Sequence, residues 1–338
     1  MAAEAPPVID FSPFYSGDII AKQNLVNEVR GACQQFGFFQ IVNHNIPESL
    51  QDALLEQSED FFNLPVDIKE KYNKDIGGFN RGYERLRAQN FEKRTQGDLK
   101  EGFYFGTDLP LDHPYVRAGK INLGPNKYPE EVADPEGFKK TADEYFAAMK
   151  GLAHDILKVL AATLDLNESF FDSYIDTPIA ILRLLHYPPQ PPDASADERG
   201  IGAHTDFGGI TILLQDMTGG LQVWDKISST WVDVQPRKGA FVVNLGNMMM
   251  RWTNDRYLSN LHRVINKSGR ERYSVPFFFS GNPDFVVKCL PSCEDPRLGA
   301  KYPAVTVEEW IRARYADTYG SGKGVGDLSA EASRSYTA

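Results

Sequence analysis

The chain has 338 residues, 42% hydrophobic and 24% charged, the balance of a soluble globular protein with ample apolar material for a core. Lys and Arg total 36 against 46 Asp and Glu, a formal charge of −10, which argues against sequence-independent nucleic-acid binding through a basic surface. No signal peptide and no apolar run near the ~20 residues that span a bilayer are visible. Cys33, Cys289 and Cys293 read as reduced thiols, so the expectation is a cytoplasmic protein with no membrane partner.

Taken in order, Val8-Ile9-Asp10-Phe11 predicts a short strand, and residues 21–36 repeat apolar positions at helical spacing. Phe38-Phe39-Gln40-Ile41-Val42 predicts a buried strand, and Pro47 opens another helix. The stretch 73–100 is polar and Gly-rich, a loop placed to cover something, with Arg81, Tyr83 and Arg85 as lid residues. Residues 134–164 carry the strongest helical stripe, from Phe138 to Ile156. From 179 to 288 short β-type runs alternate with Gly, Pro and Asp turns, the pattern of a sandwich, barrel or jelly roll. A closing helix is expected over 306–319, with a Thr-Val-Glu-Glu cap signal. The fold class is mixed α/β (α+β): one domain over 1–319, a frame over about 1–120, a β core over about 178–290 and a flexible tail at 320–338.

Six histidines are few, and their placement is informative. His204-Thr205-Asp206 puts an imidazole and a carboxylate at i and i+2, on one face of an extended segment, and His262 begins a later strand. Two imidazoles and one carboxylate with open positions make the facial triad of non-haem Fe(II) oxygenases. Arg272 and Ser274 repeat the i, i+2 arrangement on a strand running into Val-Pro-Phe-Phe-Phe. A guanidinium in apolar surroundings needs an anion, and its planar fork suits a carboxylate. An internal ion pair is the competing account of Arg272. His44 reads as structural, and His113, His154 and His186 have no partner at ligand spacing. The Met248-Met249-Met250 run reads as core.

With these residues in view, the chain resembles the Fe(II)/2-oxoglutarate-dependent oxygenases of the isopenicillin-N-synthase-like group over about residues 8–319. His204-x-Asp206, His262 and Arg272-x-Ser274 stand in that family's order, as do Gly37-Phe-Phe-Gln-Ile-Val-Asn-His44, Phe61-Phe-Asn-Leu-Pro65 and Lys100-Glu-Gly-Phe-Tyr-Phe-Gly106. Asn45 replaces a usual Gly, and Leu185 a polar residue of the plant enzymes. The resemblance implies a distorted double-stranded β-helix (jelly roll) holding Fe(II) on His204, Asp206 and His262. It implies 2-oxoglutarate as co-substrate, with Arg272, Ser274 and Tyr187 on its far carboxylate, and O2 as oxidant. It also implies Phe103 and Phe105 on the substrate wall. Strand parity adds Phe278, counted from Arg272, and Arg183, which shares a face with Tyr187 and is placed to meet an anion; a structural ion pair is the competing account. The expected reaction oxidises a small, largely apolar metabolite by hydroxylation, desaturation or rearrangement, with 2-oxoglutarate converted to succinate and CO2. Two alternatives stand beside it: an iron oxidase of the same fold that needs no 2-oxoglutarate, and a non-catalytic small-molecule binder.

Overall fold

A computed structural model describes residues 4–92, 97–191, 193–194 and 198–319. The tail expected over 320–338 lies outside the described residues.

Twelve strands carry the architecture: β1 (Val8–Asp10), β2 (Phe38–Val42), β3 (Gly82–Glu84), β4 (Glu101–Gly106), β5 (Ile179–Tyr187), β6 (Ile201–His204), β7 (Ile210–Gln215), β8 (Leu221–Asp225), β9 (Thr230–Asp233), β10 (Phe241–Leu245), β11 (His262–Val264) and β12 (Arg272–Gly281). They form an eight-stranded sheet, β1-β2-β10-β7-β12-β5-β4-β3, and a four-stranded sheet, β6-β11-β8-β9. The pairing is antiparallel except between β1 and β2. Four strands of the larger sheet come from the N-terminal half, so frame and core share one set of ladders.

The sheets have a dry side and a cavity side. On the dry side, helices Ile19–Gln35, Glu48–Phe62 and Pro135–Thr163 bury apolar stripes against the larger sheet. The long helix starts at the Asp134 cap, whose side chain accepts from the Gly137 amide, with Pro135 in the first turn. The closing helix, Val307–Tyr319, has the expected capping box: Glu309 N donates to Thr306 Oγ1, and Thr306 N donates back to Glu309 Oε2.

Strand parity decides which residues face the cavity side. In β5, Leu182 and Leu184 enter the core, while Ile181, Arg183, Leu185 and Tyr187 face the other way. β12 runs beside it with Arg272 opposite Tyr187, Ser274 opposite Leu185 and Phe278 opposite Ile181. Pro276 does not break the alternation: Arg272, Ser274, Pro276 and Phe278 all line one cavity. Of the Met248-Met249-Met250 run read as core, Met248 and Met249 are buried and Met250 is half-buried.

Candidate active site

His204 ends β6 and His262 begins β11, and the two residues are paired across the ladder. Asp206 follows two residues after His204. The three side chains converge: Asp206 Oδ1 lies 3.8 Å from His204 Nε2 and 3.7 Å from His262 Nε2. Two ligands each about 2.1 Å from a common ion sit roughly 3–4 Å apart, so this donor set fits one metal ion. Among the described residues, it is the only such cluster of three or more His, Cys, Asp or Glu.

The outer contacts fix which atoms face the ion. His204 Nδ1 lies 2.8 Å from the Gly202 carbonyl and His262 Nδ1 lies 3.2 Å from that of Asn260, leaving each Nε2 as the metal-facing lone pair. The other oxygen of Asp206, Oδ2, accepts from Thr211 Oγ1 and Asn244 Nδ2, both at 2.6 Å. Burial, above all, pushes His204 down to about 3, which keeps the imidazole neutral. Burial opposes ionisation of Asp206, yet both imidazoles and the two hydrogen bonds outweigh it and hold the carboxyl below its usual range.

Two cavities meet at this triad. The first, about 470 Å3 counting its mouth, is lined by His204, Asp206 and His262 and by Tyr187, Arg272 and Ser274. Arg272 is fully buried. Its Nε donates to the Gly219 carbonyl at 2.6 Å, its Nη1 to Ser274 Oγ at 3.2 Å and its Nη2 to Gln215 Oε1 at 3.3 Å. The Tyr187 ring lies 4.7 Å from the guanidinium carbon. Among the described residues, no carboxylate pairs with Arg272, so the internal ion pair is not formed and the buried charge is left for a bound anion.

The second cavity, about 700 Å3 counting its mouth, shares His204, Asp206, Leu185, Ile201 and Phe278 with the first. Phe278 and Arg183 both line it, and the Phe278 ring lies 4.8 Å from the guanidinium carbon. Phe103 and Phe105 do not. They pack in the core against Phe61 and Phe138, because their register partners, Leu184 and Leu182, are on the dry face of β5. The intervening Tyr104 faces the other side, beneath Arg183 at 4.4 Å.

The 73–100 loop does reach the site, but not through the lid residues expected of it. Arg81 is buried with its guanidinium on the carbonyls of Phe79 and Asn122, Tyr83 donates to Glu101, and Arg85 pairs with Glu70. It is Phe91 that stacks on His204, with ring centroids 4.7 Å apart. Glu92 and Asp98 clamp the loop by accepting from the backbone of Ala203 and Gly202. The approach is close at Gly202, where a Cβ would come within 2.8 Å of Glu92 Cγ.

Sequence reasoning also missed Thr211, Asn244, Lys100 and Asn122. Lys100 had a signal: it shares the parity of Gly102 and Tyr104, opposite to Phe103. The other three stand at sites that only the tertiary pairing reveals, Asn244 being the cross-strand partner of Thr211.

Comparison with known proteins agrees with this geometry. The profile of the 2OG-Fe(II) oxygenase superfamily matches residues 178–281, and that of the N-terminal region of the non-haem dioxygenases in morphine synthesis matches residues 6–131. The 2-oxoglutarate-Fe(II) type oxidoreductase hxnY of Emericella nidulans is 54% identical over 321 residues, 95% of this chain and 92% of that protein. The chain belongs to the 2OG-Fe(II) oxygenase superfamily. Within that family, the clavatol oxidase claD of Penicillium crustosum is 39% identical, over 93% of this chain and 96% of its own. A full-length Neurospora crassa protein, crystallised with alpha-KG (2-oxoglutarate) and thymine, superposes with a TM-score of 0.81 at 29% identity, over 93% of this chain and 97% of the other. The chain is thus a dioxygenase that uses Fe(II), 2-oxoglutarate and O2, on the double-stranded β-helix of its relatives. Among the described residues, no helix is long and apolar enough to cross a membrane.

Proposed function

We propose that His204, Asp206 and His262 hold Fe(II), and that the 470 Å3 cavity receives 2-oxoglutarate with its far carboxylate on Arg272, Ser274 and Tyr187. The organic substrate, a small and largely apolar molecule, occupies the 700 Å3 cavity against Phe278 and Phe91. The observation that carries this reading is the shared boundary: both cavities are lined by His204 and Asp206, so co-substrate and substrate meet at one ion.

Bound Fe(II) supplies O2 activation coupled to conversion of 2-oxoglutarate into succinate and CO2, with oxidation of a substrate C–H bond. The protein's own residues position and exclude. Arg272, itself fully buried, offers its guanidinium to a carboxylate where the local dielectric is low and a charge-assisted pair is strong. Burial pushes the Tyr187 phenol up, so its hydroxyl keeps its proton and can donate. The walls Ile181, Leu185 and Phe278 are apolar and decide which carbon is presented to the metal. A relative named clavatol oxidase and a neighbour crystallised with thymine support a small cyclic substrate. The free thiols Cys33, Cys289 and Cys293 are in keeping with a reducing, cytoplasmic setting.

The test is anaerobic calorimetry of 2-oxoglutarate into the Fe(II)-loaded protein, followed by succinate measurement under O2 with a metabolite panel. Saturable binding and succinate formation are expected. Binding without succinate in any condition points to a non-catalytic binder; oxidation of a substrate without succinate points to an oxidase that does not use 2-oxoglutarate.

A further inference from the structure

Among the described residues, every hydrogen-bond partner of Arg272 is neutral. Its three bonds go to the Gly219 carbonyl, to Ser274 Oγ and to Gln215 Oε1. Of these partners, Gln215 is the one that a single substitution turns into an anion of the same shape. It ends β7, where it is the cross-strand partner of Ser274. Its parity is that of Thr211 and Leu213, which line the co-substrate cavity, while Ile212 and Leu214 enter the core. A guanidinium carries donors only, so the Gln215 amide must turn its oxygen to Arg272. That orientation leaves Gln215 Nε2 buried with no hydrogen-bond partner among the described residues. The amide therefore costs an orphaned donor and still leaves a fully buried cation uncancelled.

A glutamate at the same position would set a carboxylate against Arg272, where the amide oxygen now stands at 3.3 Å, and complete a buried ion pair. Once paired inside the chain, the guanidinium has less to gain from an incoming anion. We propose that Gln215 is a positioning residue of the co-substrate site: its amide oxygen fixes the direction of Arg272 without cancelling its charge. The uncancelled charge is what lets the site discriminate between 2-oxo acids with and without a second carboxylate. This rests on the assignment of 2-oxoglutarate to the 470 Å3 cavity, and it names the residue that keeps that cavity receptive to an anion.

The experiment compares 2-oxoglutarate with 5-methyl-2-oxohexanoate, whose isopropyl end has the shape of the far carboxylate without its charge. Both are titrated anaerobically by calorimetry into the Fe(II)-loaded protein, as wild type, Q215E and Q215L. Wild type should prefer 2-oxoglutarate. Q215E should shrink that preference at least about tenfold, the worth of one charge-assisted contact, by weakening 2-oxoglutarate while the isopropyl analogue binds as before. Q215L, still neutral, should keep most of the preference. Without ligand, Q215E should melt no lower than wild type, because the new carboxylate gives a buried cation its partner. No preference in wild type, an undiminished preference in Q215E, an equal loss of both ligands, or loss of the preference in Q215L overturns the proposal. So does a Q215E chain that fails to fold. Failure of the wild type to bind 2-oxoglutarate at all is a separate result: it sinks the co-substrate assignment, and the proposal with it.

Discussion

Asn244 Nδ2 donates to Asp206 Oδ2 at 2.6 Å, on the oxygen that does not face the two imidazoles. With Thr211 on the same oxygen, the carboxylate is tied so that Oδ1 alone points at the metal position, and the ligand's direction is set before any ion arrives. N244A should weaken Fe(II) retention about 10- to 100-fold with the fold intact by circular dichroism. Anaerobic dialysis against Fe(II) followed by iron analysis checks it. Retention equal to wild type would show that the hydrogen bond orients nothing.

Arg272 has no carboxylate partner among the described residues, so its charge is available to the co-substrate. R272A should weaken 2-oxoglutarate binding by about 2–4 kcal/mol, roughly 30- to 700-fold, the usual loss for one member of a buried charged pair. Calorimetry on Fe(II)-loaded protein measures it, and near-normal affinity would refute the role.

Glu84 gives a pH signature. Burial alone would raise its carboxyl, but Lys100, Lys74 and Arg183 hold it down to about 2, against an ordinary 4.5. The folded value is depressed, so the stabilisation is fully present above pH 4.5 and is lost as pH falls from there toward 2. At neutral pH it amounts to about 3 kcal/mol. E84Q should therefore melt well below wild type at pH 7, and the two curves should converge on acidification. Parallel curves throughout that range would deny the linkage.

Phe103 and Phe278 should behave in opposite ways. Phe103 is fully buried among Phe61, Phe105 and Phe138, so F103A should cost about 3–5 kcal/mol of stability while substrate affinity holds. Phe278 lines both cavities, so F278A should raise the substrate KM with a smaller loss in denaturant midpoint. A KM effect in F103A without loss of stability would return that residue to the substrate wall.

The contrast between those two phenylalanines shows where the sequence was legible. In β5 and β12, nine and ten residues long, alternation alone places Tyr187, Arg183, Ser274 and Phe278 on one side. Phe103 and Phe105 were placed by resemblance without a register, and pairing with Leu184 and Leu182 turns them into the core. β6 escaped notice because it has four residues with Gly202 inside, too short for a periodic signal. The hold of Asn244 and Thr211 on Asp206 joins residues 38 and 5 positions away, a relation created by sheet order and invisible to local pattern.

Strand β5 has one further consequence. From Ile179 to Leu185 its cavity-side residues wall the larger chamber, and from Leu185 to Tyr187 they wall the smaller one. On the assignment proposed above, one end of a single nine-residue ribbon serves a reagent common to every turnover, and the other whatever molecule is being altered. Substitutions toward Ile179 can retune selectivity without disturbing the shared reagent. A one-residue insertion between the two ends would instead turn half the ribbon inside out, exchanging wall for core. New specificities are thus expected to arise here by side-chain replacement, with strand length held constant.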